Sequence, residues 1–118
     1  MPYVDGFVVA VPNDRLADYR KLARKAGKLW KEYGALDYVE CVADDVPYGK
    51  RTSFPRAVKQ KEDETVIFAY IVYKSRRQRD SINKKVMADP RLGDMGVDDM
   101  PFDARRMIYG GFKSIVAL

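Results

Sequence analysis

Asp5 and Glu40 are carboxylates set among apolar residues. Asp5 sits in Tyr3-Val-Asp-Gly-Phe-Val-Val-Ala-Val11, in the alternating set Tyr3, Asp5, Phe7, Val9 and Val11. Glu40 alternates with Leu36, Tyr38 and Val42. A carboxylate in such company is costly unless paired, and the same burial shifts its proton affinity, which is what a general base needs. The alternative is a structural ion pair with Arg105 or Arg106. Arg106 opens the final strand, and in the expected topology that strand runs beside the first. Arg106 is therefore the expected partner of Asp5, the pair lining one mouth of a cavity. Tyr109 precedes Gly110 and Gly111, and glycine within a strand marks a bulge or a close approach of backbone or ligand. The bland reading is that the glycines make room for Trp30, Tyr33 or a partner subunit. Tyr70 alternates with Phe68 on the third strand. The pocket candidates are thus Asp5, Glu40, Tyr70, Arg106 and Tyr109, with no residue assigned as catalytic.

Much other chemistry is excluded. The chain has no histidine and one cysteine, so no Ser-His-Asp or Cys-His pair, no histidine-ligated zinc and no thiolate cluster can form within it. No metal or cofactor is expected. Cys41 reads as a small core residue without a histidine to activate it. A lone cysteine fits a reducing cytoplasm, and the start of the chain lacks the pattern of a signal peptide.

The elements follow from hydrophobic periodicity. Residues 3–11 alternate as a strand. Asn13 is the expected N-cap of a helix over Arg15–Tyr33, whose apolar positions Leu16, Tyr19, Leu22, Ala23, Ala26, Leu29, Trp30 and Tyr33 form one stripe, with Gly34 ending it. Strands are expected at 36–43 and 65–73, the second apolar enough to be central. Between them, Ser53 and Pro55 predict a short helix. Ser75 caps a second long helix to about Met87. Pro90, Gly93, Gly96 and Pro101 mark a loop, and 106–116 is the last strand. The order β-α-β-β-α-β predicts one domain over residues 1–118, an α+β ferredoxin-like fold whose antiparallel four-stranded sheet carries both helices on one face.

The other face would expose more apolar surface than a monomer usually tolerates, so a second copy is the expected cover. Val4-Asp-Gly-Phe-Val-Val-Ala-Val-Pro12, Tyr33-Gly-Ala-Leu36, Val39-Glu-Cys41, Asp45-Val-Pro-Tyr-Gly-Lys50, Asp89-Pro-Arg91 and Met100-Pro-Phe-Asp-Ala-Arg-Arg-Met-Ile-Tyr-Gly-Gly-Phe112 together resemble the domain of unknown function 1428 family. The resemblance spans nearly the whole chain. It implies a dimeric α/β barrel, two such sheets facing each other around a cavity, and no particular activity.

Three functional readings follow. The first is a cytoplasmic homodimer binding a small molecule between its sheets. The second is a cofactor-independent monooxygenase in the same cavity, with Asp5 or Glu40 as base. The third is RNA binding, which the net charge of +5 permits. Against it, residues 62–70 lack the basic-Gly-aromatic start of an RNA-recognition strand, and acids precede the aromatics. No apolar run reaches the ~20 residues of a membrane span.

Overall fold

The computed structural model describes residues 1–93 and 100–118. Strand β1 (Tyr3–Pro12) leads through a 3-10 turn (Asn13–Arg15) into α1 (Leu16–Glu32), followed by β2 (Asp37–Val42), α2 (Phe54–Ala57), β3 (Glu64–Tyr73), α3 (Arg76–Ala88), a single turn α4 (Pro90–Gly93), a second 3-10 turn (Ala104–Arg106) and β4 (Ile108–Lys113). The strands lie in the order β2-β3-β1-β4 and every neighbouring pair is antiparallel. This is the ferredoxin-like arrangement, with the two most apolar strands at the centre.

The capping serines behave as their sequence context predicts. Ser53 accepts a hydrogen bond from the Arg56 amide at 3.1 Å, and Ser75 accepts one from the Gln78 amide at 3.1 Å. Asn13 does not cap α1. It lies in the 3-10 turn, its side chain bonded to Thr65 across the sheet end, and α1 begins at Leu16 without a side-chain cap. Gly34, at φ +113°, terminates the helix in the left-handed region that glycine enters without strain. The outer strands are shorter than expected. Arg106 belongs to the turn before β4 and not to the strand. Of the predicted loop 90–101, α4 forms the first turn, and Gly96 lies outside the described residues.

One face of the sheet packs on α1 and α3. Leu29, Ala35, Ile71, Tyr73, Ile82 and Val86 form a buried cluster at one end, and Val9, Val11 and Ile67 pack with Leu16, Tyr19, Phe102 and Met107 at the other. The close approach of α1 to β2 requires Gly27, since a Cβ there would sit 2.5 Å from the Tyr38 ring. On the opposite face, α2 and its flanking loop fold back over one end, where Val8, Ala10, Val58 and Val66 are buried with Val46. The rest of that face is open. Phe112 is 64% exposed, and Phe68 and Ile108 are also exposed. Cys41, expected in the core, is exposed, because it lies on an edge strand opposite Phe68, on the face that α1 and α3 do not cover. Among the described residues no helix is long and apolar enough to cross a membrane.

Candidate functional site

Alternation fixes which candidate faces which layer. Directly opposed residues on antiparallel strands share a face. Asp5 opposes Ile71 and Gly111 and is of the same parity as Val9 and Val11, which pack under the helices. It is 5% exposed. Its expected partner is wrong. Arg79, from the first turn of α3, donates from Nη1 to Asp5 Oδ1 at 2.9 Å, and the Tyr73 hydroxyl donates to Oδ2 at 2.9 Å. The Arg79 guanidinium also lies 5.0 Å from the centre of the Tyr3 ring. Gly111 is needed beside it, because any side chain there would strike the Tyr3 phenol. Burial, reinforced by the Asp5 charge, holds the Tyr73 phenol well above its ordinary pKa, so it stays a donor. Asp5 is a fully engaged structural anion beneath α3 and does not face the open side.

Glu40 is likewise on the helix side, beneath α1. Its two oxygens accept hydrogen bonds from Tyr19 at 2.6 Å and Tyr38 at 2.8 Å. Burial, and then the Glu40 charge, push both phenols far above the usual tyrosine range. Glu40 lines a cleft of about 970 Å³ between α1 and the outer edge of β2.

Arg106 meets neither carboxylate. It forms a bidentate pair with Glu64, Nη1 to Oε1 and Nη2 to Oε2 both at 2.8 Å. It also donates to the Lys59 carbonyl at 2.9 Å and to Asp103 at 3.2 Å. The Lys61 amide donates to Glu64 as well, at 2.8 Å. These bonds clamp the loop after α2 and the turn before β4 to one sheet end. Hydrogen bonding to Arg106 holds the Glu64 carboxyl below its ordinary range. Tyr109 opposes Phe7 and stacks on it at 6.5 Å, on the helix side of β4 and well exposed.

Of the five candidates, Tyr70 alone lies on the open face. It stands in register with Gly6, and Gly6 with Gly110. Two glycines side by side leave the strands without side chains at the middle of an apolar face. The ring of Phe112 leans into that space, 3.8 Å and 3.6 Å from where Cβ atoms of Gly6 and Gly110 would be. The two glycines thus leave a strip without side chains of its own beside Tyr70, Val8 and Phe112, with the Phe68 and Tyr70 ring centres 6.2 Å apart. Gly6 was not singled out from sequence. Its signal is its register opposite Gly110, which appears only once the strands are paired. Among the described residues no cluster of three or more metal-ligating side chains occurs.

Comparison with known proteins agrees with this architecture. The chain is 57% identical over 116 residues to the uncharacterized protein YbaA of Escherichia coli K12, covering 98% of both chains. Among solved structures it is similar to an antibiotic biosynthesis monooxygenase candidate from Nitrosomonas europaea, with a TM-score of 0.64 at 12% identity, over 97% of this chain and 90% of that one. It is also similar to a dimeric ferredoxin-like protein from an uncultured marine organism, with a TM-score of 0.51 at 11% identity, over 100% and 98% of the two chains. At such identities these likenesses speak for the fold. A family model described as "Protein of unknown function (DUF1428)" matches residues 2–104, and the chain belongs to that family.

Proposed function

We propose that the protein is a cytoplasmic homodimer joined through its open sheet face, and that it holds a small apolar or aromatic molecule between the two sheets over Gly6 and Gly110. The observation that carries this reading is the pairing of Gly6 with Gly110. Two paired glycines interrupt an apolar face whose flanking residues, Phe68, Ile108 and Phe112, are exposed in the single chain. A face evolved only to pack against a copy of itself gains by filling that position with a branched side chain. The Tyr70 hydroxyl supplies a polar group at its border, as small-molecule sites require. The dimeric marine protein of similar fold supports the assembly.

The monooxygenase reading borrows from the Nitrosomonas protein and needs a base in the cavity. Asp5 and Glu40 are turned under the helices, so that role would fall to Asp37, exposed at the corner of the open face, or to Tyr70. Simple binding is therefore preferred. RNA binding is disfavoured because Arg20, Arg24 and Lys28 belong to the helix layer, across the sheet from Phe68 and Tyr70.

Light scattering at micromolar concentration should give twice the 13.5 kDa chain mass, and Phe112→Lys should give the monomer. With 1-naphthol as a fluorescent probe, Gly110→Val should preserve the dimer while abolishing binding. A wild-type monomer would remove the reading, as would a Gly110→Val dimer that binds the probe unchanged.

A further inference from the structure

We propose that the cleft between α1 and the free edge of β2 is a second binding site, for a small amphipathic organic anion held with its apolar body inward and its acid group at the rim. The volume of about 970 Å³ suits a small molecule. The inner wall is apolar, formed by Leu16, Ala23 and Ile67, with the exposed Val42 at its outer edge. Ala23 and Gly27 keep the helical wall low, and Gly27 is fixed as glycine by the Tyr38 ring.

The rim has the opposite character. Arg20, Arg24 and Lys28 follow one another at four-residue spacing, so they share one side of α1. Among the described residues none of the three has a carboxylate within ion-pair distance. The neighbouring charges are already engaged. Lys31 Nζ donates to the Leu36 carbonyl at 2.6 Å, and Glu32 pairs with Arg91 at 2.8 Å. A row of unneutralised cations above an apolar recess complements a molecule with one acid group and one hydrophobic body.

Glu40 sets the orientation. It lines the cleft from β2, half-buried, and Tyr19 and Tyr38 occupy its oxygens. Its negative charge repels an acid group from the floor, which leaves the rim as the place for the anion. The apolar side chains line a concavity instead of standing out from the surface, so a free molecule fits better than a membrane. This site stands apart from the paired glycines of the sheet face, on the other layer of the molecule.

The test is a titration of the isotope-labelled full chain with 1-naphthoate, read at backbone amides by nuclear magnetic resonance. Saturable shifts should concentrate in residues 20–31 and 38–42. Arg24→Glu combined with Lys28→Glu, both exposed helix positions, should weaken affinity by about tenfold or more, whereas Arg24→Lys should retain it. The neutral analogue 1-naphthalenemethanol should bind these amides at least about tenfold more weakly, since it lacks the charge the rim recognises. Equal affinity for acid and alcohol would overturn the proposal. So would indifference to the charge reversals, or shifts confined to the Phe68 and Phe112 face. Salt-resistant binding to phosphatidylglycerol vesicles, with no naphthoate response, would instead assign the basic helix to a membrane surface. Dissociation by Phe112→Lys is read separately, so failure at either site leaves the other standing.

Discussion

On the helix side of the sheet, Asp5 and Glu40 lie in apolar surroundings with every carboxylate oxygen hydrogen-bonded. On the other side, Phe68, Ile108 and Phe112 stand in solvent with scarcely a polar group among them. In the first layer these two buried or half-buried carboxylates have found partners within the chain. The second is an apolar surface that nothing in the single chain covers. Buried charge is therefore poor evidence of function here. Exposed apolar surface is the better guide.

The largest effect that tests this contrast comes from the helix side. Arg79→Leu should destabilise the fold by about 3–5 kcal/mol, because it strands the Asp5 charge in the interior. Combining it with Asp5→Leu should recover a large part of that loss in chemical denaturation. Additive single effects would mean that the two residues do not act as a pair.

At the sheet end, Arg106→Ala should cost about 3 kcal/mol by leaving Glu64 buried and unpaired. The pH dependence follows from the lowered Glu64 pKa. The pair's contribution is complete above the ordinary value of 4.5 and is lost as pH falls from there through the folded-state pKa. Glu64→Gln should remove that component of acid sensitivity, which stepwise acid titration of the thermal midpoint would reveal.

The smallest intrinsic change is expected on the open face. Phe112→Lys should alter the stability of the isolated chain by less than about 1 kcal/mol, since the ring is largely exposed before any partner arrives. A loss several-fold greater at low protein concentration would show that the ring is already part of a finished core, and the contrast between faces would dissolve.

The elements themselves were legible because they rest on local chemistry. Ser53 and Ser75 cap helices through amides three residues away, and Gly34 ends α1 by its own backbone freedom. The facing of Asp5 was not legible, because β1 is apolar on both sides and its alternation carries no sign of direction. Arg79 was readable in part. It precedes Ile82 by three residues and Val86 by seven and so shares their buried stripe, although its basic neighbours Arg76 and Arg77 made it look like solvent-facing charge. The pairing of Arg106 with Glu64 joins residues 42 apart in sequence, and the paired glycines are farther apart still. No local rule reaches such contacts, so the sequence led to the wrong partner for Arg106 and did not set Gly6 beside Gly110.

The placement of β1 also governs the order in which the molecule can assemble. β1 lies at the middle of the sheet, yet it precedes both of its neighbours in the chain. One edge waits for β3, and the other waits for β4, where Tyr3 meets Lys113. Such distant pairings carry a high entropic barrier and favour slow folding. Until the final strand docks, a nascent chain carries an apolar ribbon with an open edge, the form most prone to pairing with a neighbour. The strand at the centre of the finished sheet is thus the one left longest without its neighbours.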